Sequence, residues 1–441
     1  MMKKLIPALT ALFVLISTVP VSAETAVLSD NVSSEAFVEV NYPSITSDYL
    51  YLEDADTGQV LWSVNPDEKI YPASMTKMMT EILAIEALSD TSSTITITSE
   101  MLSGLSEANA TVAGFAVGDT PTVLDCLYGA ALPSGADAVN ALAITVSGSI
   151  DAFVDLMNQK AAELGMTNTH FTNATGLYDD NHYSTVHDIA ILMKYCLNSD
   201  LFHSLISTPS YTTTTGLVLN STFWKYLTAG GGNIDIPGFE GAKTGYTSNA
   251  GNCFASTGTE NGIHIILVTA HSMSAHGIVD ASTVYPWVAS TFEKRTVLSA
   301  GDQLLEVSVK DTIPTSSFTI TADTDVTVDL PIGTELTVDN TAESTVYAPV
   351  NEGDSLGTYT IKNGDEVLYT QELTSPVTIK RNELAYIWRM ITEFVSNHPL
   401  LSVFYAAVIA FLLVVASRHI AIARKRRRRR KRKQQRQKRN S

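Results

Sequence analysis

Ser74 and Lys77 stand three positions apart in Pro72-Ala-Ser-Met-Thr-Lys77. Met78, Met79, Ile82, Leu83 and Ile85 follow with roughly helical spacing. The two polar side chains are therefore expected at a helix start, one turn apart and on one face. A hydroxyl placed there has an amine beside it that can take its proton. Its developing oxyanion would also face the positive end of a helix dipole. The bland alternative is a serine that only caps the helix, since Ser-x-x-Lys is a short pattern. Two more short motifs follow in order, Ser134-Gly135-Ala136 directly after Pro133, and Lys243-Thr244-Gly245. Ser134 also has a capping alternative.

The elements that must carry these residues read as a mixture of helices and strands. Tyr49 to Asp54 and Gln59 to Val64 flank the turn Asp56-Thr57-Gly58, a strand-turn-strand pattern. After the Ser74 helix, Thr94 to Thr98 alternates like a strand, and 103–114 is expected as a surface loop. Pro121 to Leu132 reads as a helix stopped by Pro133-Ser134-Gly135. Ala136 to Val146 and Asp151 to Leu164 read as two more, the second capped by Ser149. Thr185-Val-His-Asp188 fits a capping box opening a helix to Leu197. Asn252 to Thr257 and Ile263 to Ala270 flank Asn261-Gly262, a hairpin signal. Ala275 to Lys294 is expected to close the first domain as a helix. From Val297 to Thr378 short alternating strands replace the helical pattern, with turns such as Asn363-Gly364.

Both ends read as membrane signals. Lys3 and Lys4, the apolar run Leu5 to Val21 and the small residues up to Ala23 predict a signal peptide over 1–23, or else an uncleaved anchor. Residues 24–46 are polar and aperiodic, a linker. The domains expected after it are 47–296, a catalytic domain, and 297–378, a small all-β domain. Residues 379–399 follow as an amphipathic juxtamembrane helix carrying Ile387, Trp388, Ile391 and Phe394. Residues 400–417 are uncharged and long enough to cross a bilayer, and 418–441 form a basic tail. Basic residues stay on the cytoplasmic side. The expected product is a single-pass protein of the cell membrane with its body outside and its tail inside. Anionic lipid, not nucleic acid, is the expected partner of the tail.

Of 29 Lys and Arg, 14 lie from Arg418 onward and two in the leader, which leaves 13 beside all 46 acids. So acidic a body will not seek nucleic acid or other polyanions. Cys126, Cys196 and Cys253 form neither a disulfide framework nor a zinc pattern, and are expected as buried thiols with at most one bridge. The histidines show no paired spacing for a metal.

The order Ser-x-x-Lys, Ser-x-x, Lys-Thr-Gly resembles that of the penicillin-recognising serine acyltransferases. Phe171-Thr-Asn-Ala-Thr-Gly-Leu177, His182-Tyr-Ser-Thr185 and Gly241-Ala-Lys-Thr-Gly-Tyr-Thr247 narrow it. With them, residues 48–294 closely resemble the serine-type D-alanyl-D-alanine carboxypeptidases, the low-molecular-mass penicillin-binding proteins. The resemblance extends loosely to the β-domain and anchor. It implies an α+β fold of the β-lactamase/DD-peptidase kind, an antiparallel sheet flanked by helices, plus the all-β domain and one transmembrane helix. It implies trimming of D-alanine from peptidoglycan stem pentapeptides, inhibition by β-lactams, and no metal or organic cofactor.

Residue by residue, the resemblance makes Ser74 the acyl-ester nucleophile, Lys77 the proton acceptor and Ser134 a proton relay to the leaving amine. Lys243 and Thr244 would hold the substrate carboxylate, and the backbone N–H groups of Ser74 and Tyr246 would form the oxyanion hole. A free lysine has a pKa of about 10.4, so Lys77 needs burial or a nearby cation such as Lys243 to act as base. One position departs from the family: its second motif ends in Asn, and Ala136 stands there. Either Asp137 or a water takes the amide's role, or activity is reduced. Two rivals are a β-lactamase, against which no Glu-x-x-x-Asn stretch lies between Ser134 and Lys243, and a wall-binding pseudoenzyme motivated by Ala136.

Overall fold

The computed structural model describes residues 40–272 and 277–439. The expected signal peptide and most of the expected linker lie outside them. In chain order, strands β1 (Ser47–Asp54) and β2 (Val60–Val64) form a hairpin. Helices α1 (Lys77–Ala87), α2 (Val123–Ala131), α3 (Ala136–Ser147), α4 (Ile150–Leu164), α5 (Val186–Cys196) and α6 (Asp200–Ser207) follow. A small hairpin of β3 (Ser210–Thr212) and β4 (Val218–Asn220) precedes β5 (Phe239–Thr247), β6 (Gly251–Glu260), β7 (Ile263–Ser272) and helix α7 (Ile278–Thr291).

The main sheet is antiparallel, in the order β2-β1-β7-β6-β5. Its central strand β7 carries the unbroken apolar run Ile265 to Val268, and both of its faces are covered there. Ile266 and Val268 pack into the core shared with the α1 to α6 layer, while Ile265 and Leu267 pack into the core under α7. The order leaves β5 at an edge, so that the Lys-Thr-Gly motif borders a cleft rather than another strand.

Three local expectations are corrected. Thr94 to Thr98 is not a strand. Ile95 and Ile97 are buried as its alternation requires, but their N–H groups donate to the carbonyls of Pro121 and Asp119 at 2.8 and 2.9 Å in a loop-to-loop contact. At the start of α5, the Thr185 hydroxyl accepts from the Asp188 N–H at 3.0 Å, but the return half of a capping box is missing. The Asp188 carboxylate instead accepts from the Asn168 N–H and the Thr169 hydroxyl. The expected helix over 275–294 ends at Thr291, because Phe292 opens a strand. Residues 40–46 lack regular structure yet lie on the body. Val40 and Ile45 pack against the second core, and the Trp287 indole N–H donates to the Asn41 carbonyl at 2.8 Å.

The all-β domain holds β8 (Phe292–Leu298), β9 (Gln303–Lys310), β10 (Ser316–Thr321), β11 (Val326–Pro331), β12 (Thr337–Asn340), β13 (Thr345–Tyr347), β14 (Ser355–Asn363) and β15 (Glu366–Thr374). Its core is built from Val307, Val309, Phe318, Ile320, Ile361 and Leu373. At the junction with the first domain, Asp329 accepts a hydrogen bond from Thr57 at 2.8 Å and exchanges two with Gln59. Lys294 bridges Asp54 and Asp56 at 2.8 and 2.7 Å.

Helix α8 (Glu383–Asn397) exposes Leu384, Ile387, Trp388 and Ile391, and Arg389 grips Asp311 with two bonds of 2.8 and 2.9 Å. Helix α9 (Pro399–Arg439) has an apolar first half long enough to cross a membrane and is a candidate anchor. All three cysteines are buried and unbridged.

Candidate active site

The nucleophile's turn is made by backbone before side chains. Ala73 has a left-handed backbone, φ +47°, and Ala73–Thr76 forms a 3-10 turn that runs into α1. Ser74 therefore sits in the turn that leads into the helix, half-buried, with its Oγ 2.7 Å from the Lys77 Nζ. Two glycines let neighbouring chain close on that turn. A Cβ on Gly176, at φ +78°, would lie 1.8 Å from the Ala73 carbonyl oxygen. One on Gly245 would lie 3.0 Å from both the Pro72 oxygen and the Ser74 nitrogen. The second contact sets β5 directly against the Ser74 amide.

Lys77 also donates to the Thr175 carbonyl at 2.7 Å. That carbonyl is held by Asn173, whose Oδ1 accepts from the N–H groups of Thr175, Gly176 and Leu177 at 3.1, 2.8 and 3.2 Å. Lys243 Nζ donates to the Ser134 Oγ at 2.9 Å. Ser134 has a left-handed backbone, φ +63°, in the corner that opens α3. The Thr244 hydroxyl pairs with that of Thr222 at 2.7 Å. The Tyr246 side chain is exposed at the cleft.

A cleft of about 530 Å³ is lined by Ser74, Lys77, Ala136, Thr175, Gly176 and Tyr246, among others. Ser134 and Lys243 are buried beside it. Of the site residues read from the sequence, Ser74, Lys77 and Tyr246 line the cleft, whereas Ser134, Lys243 and Thr244 are not among its lining residues. Four of them form two hydroxyl–amine pairs, Ser74 with Lys77 and Ser134 with Lys243.

The electrostatics follow from burial. Lys77 is 3% exposed, and its pKa falls well below the usual value, first through desolvation and then through repulsion by Lys243. Burial lowers Lys243 to about 8. The nearby His182 is pushed down to about 4 by burial and stays neutral. Its Nδ1 accepts from the Thr172 N–H at 3.1 Å, so its Nε2–H donates to the Thr76 hydroxyl at 2.8 Å. It braces the nucleophile's turn.

Asp137 does not replace the missing amide of the second motif. Its carboxylate is occupied by the N–H groups of Ala113, Gly114, Phe115 and Ala138 at 2.7 to 3.0 Å, and it pins the loop beside the cleft. Sequence reasoning missed Thr222, the Thr175 carbonyl and the buried Glu81. Only Glu81 left a signal: an acid four positions after Lys77, set among Met78, Met79, Ile82 and Leu83. Among the described residues, no group of three or more His, Cys, Asp or Glu is arranged to hold a metal ion.

Residues 36–274 match the peptidase S11 family, D-alanyl-D-alanine carboxypeptidase, and residues 292–381 match the C-terminal domain of penicillin-binding protein 5. The D-alanyl-D-alanine carboxypeptidase DacF of Bacillus subtilis is 31% identical over 342 residues, 75% of this chain and 84% of that protein. DacA of Haemophilus influenzae is 32% identical over 285 residues, 61% of this chain and 68% of that protein. The crystal structure of penicillin-binding protein 5 from Haemophilus influenzae superposes with a TM-score of 0.62 at 26% identity, covering 78% of this chain and all of that one. The paired serines and lysines, the edge-strand cleft and these matches lead to one conclusion: the chain belongs to the D-alanyl-D-alanine carboxypeptidase family, the low-molecular-mass penicillin-binding proteins, and is a serine-type hydrolase.

Proposed function

We propose that Ser74 attacks the carbonyl between the two terminal D-alanines of a peptidoglycan stem pentapeptide, with Lys77 as its base. The observation that carries this reading is the 2.7 Å contact between the Ser74 hydroxyl and a lysine whose burial favours the neutral amine. As the Oγ–carbon bond forms, the proton passes to Lys77. The oxyanion turns to the backbone N–H groups of Ser74 and Tyr246. As the C–N bond breaks, the departing D-alanine takes a proton by way of Ser134. Lys243 and Thr244 hold its carboxylate, with Lys243 fixed by Ser134 and the Thr244 hydroxyl by Thr222. Water then cleaves the ester and restores Ser74. A β-lactam enters as a cyclic amide whose leaving group stays attached.

The test is direct. Incubated with a fluorescent penicillin, the purified ectodomain should carry label on Ser74 and on no other residue. With a stem pentapeptide it should release D-alanine. Ala136 favours one second reading, a wall-binding protein with poor turnover. Label without D-alanine release would support that reading, and neither label nor release would reject the nucleophile.

The apolar first half of α9 serves in this reading as a single-pass anchor, with the body outside and the basic run inside against anionic lipid headgroups rather than nucleic acid. A tag placed after Ser441 should survive protease added to intact protoplasts while the body is digested. Loss of the tag would reverse the topology.

A further inference from the structure

Glu81 has no place in the mechanism above, yet it lies within the machinery. It follows Lys77 by one helical turn on the same face of α1. It is fully buried, and neither carboxyl oxygen has a hydrogen-bond partner. Its helix neighbours Met78, Met79 and Ile82 are all buried in the apolar core, where a methionine or leucine would not have to desolvate a polar group. What faces it is charge. Lys77 acts on it from its own helix and Lys243 from β5. From α5 the Cys196 thiol also senses it, and burial keeps that thiol protonated. Asp137, opening α3, acts on Lys77.

We propose that Glu81 is a positioning carboxyl that gives up its proton in place of Lys243, so that the amine holding the substrate carboxylate stays charged above neutral pH. The proposal rests on the roles given above to Lys77 and Lys243. Two buried amines repel, and a buried carboxylate within reach of their fields can match one ammonium. Repulsion by Lys243 falls on Lys77, the amine that must be neutral. Burial raises Glu81 and lowers Lys243, so their titrations approach one another and a proton lost above neutral pH is drawn from the pair. With Glu81 present, that loss leaves a carboxylate beside an ammonium. With glutamine in its place, the proton can come only from Lys243, and the substrate's anchor loses its charge.

The experiment is the pH profile of penicillin acylation, with kcat and KM for a stem pentapeptide, in the unsubstituted ectodomain, Glu81→Gln and Glu81→Asp. In Glu81→Gln the alkaline limb should move down by about one pH unit or more. Near pH 9 KM should rise about tenfold while kcat changes little, as expected for lost uniform binding. Glu81→Asp, which keeps the acid, should restore most of the alkaline limb. If Glu81→Gln does not fold, Glu81→Met carries the same comparison. An unmoved limb in a folded, labelled variant would overturn the proposal. So would failure of both neutral variants to fold beside a normal Glu81→Asp, which would make the carboxyl structural. Absence of label in the unsubstituted protein would overturn the roles of Ser74 and Lys77, and the proposal with them.

Discussion

Lys77→Met is expected to slow acylation of Ser74 by about 10²- to 10⁴-fold, the range usual for loss of a positioned general base. The fold should survive. Lys77 is buried in an apolar layer, and replacing a buried ionisable group by a hydrophobe of similar length is often neutral or stabilising. Thermal unfolding at or above that of the unsubstituted protein would show this. The pH profile should change form as well. In the proposed mechanism Lys77 acts as the free amine, so acylation should be lost as pH falls through its depressed pKa. Without Lys77 that acid limb disappears. The measurement is the second-order acylation constant with one penicillin across pH 5 to 9. A variant within tenfold of the unsubstituted protein at every pH would remove Lys77 as the base.

Ala136→Asn is expected to raise acylation about tenfold or more. A neutral lysine has one lone pair and two N–H bonds. In the reacting state the lone pair of Lys77 meets the Ser74 hydroxyl, and one N–H stays on the Thr175 carbonyl. The other N–H has no protein acceptor among the described residues, and Ala136, which lines the same cleft, offers none. An Asn amide oxygen there would accept it and fix the lone pair on Ser74. As Lys77 takes the Ser74 proton it becomes an ammonium; hydrogen bonds to charged groups contribute about 1.5–3 kcal/mol, and each 1.36 kcal/mol of barrier is about a factor of ten. Asp137 is no obstacle, since four backbone N–H groups hold it elsewhere. A fall in acylation would mean that alanine is the residue this cleft needs. Label in the Asn variant alone would make the natural chain a pseudoenzyme.

The site was legible where chemistry is written in adjacent residues. Ser74 and Lys77 share a turn, and Lys243-Thr244-Gly245 is continuous, so spacing alone put each set in one place. The pairing of Ser134 with Lys243 is a contact across 109 positions, and only the resemblance joined them. Thr222 and the Thr175 carbonyl were not legible, because each acts through an atom that nearly every loop offers. Glu81 was visible but misleading: an acid in a helix usually faces water. The Thr94 segment failed for a related reason. Alternation reports which side chains are buried, not where the backbone finds its partners.

The three thiols carry a consequence for how this chain can be handled. Burial pushes Cys253 up to about 12 and the other two higher than a free thiol, so hardly any thiolate is present at neutral pH. Thiolate is the form that oxidants and disulfides attack. A reductant finds no cross-link to cut, and an oxidant finds no ready sulfur. The folded body therefore owes none of its stability to a cross-link, and its thermal unfolding should be the same with and without reductant.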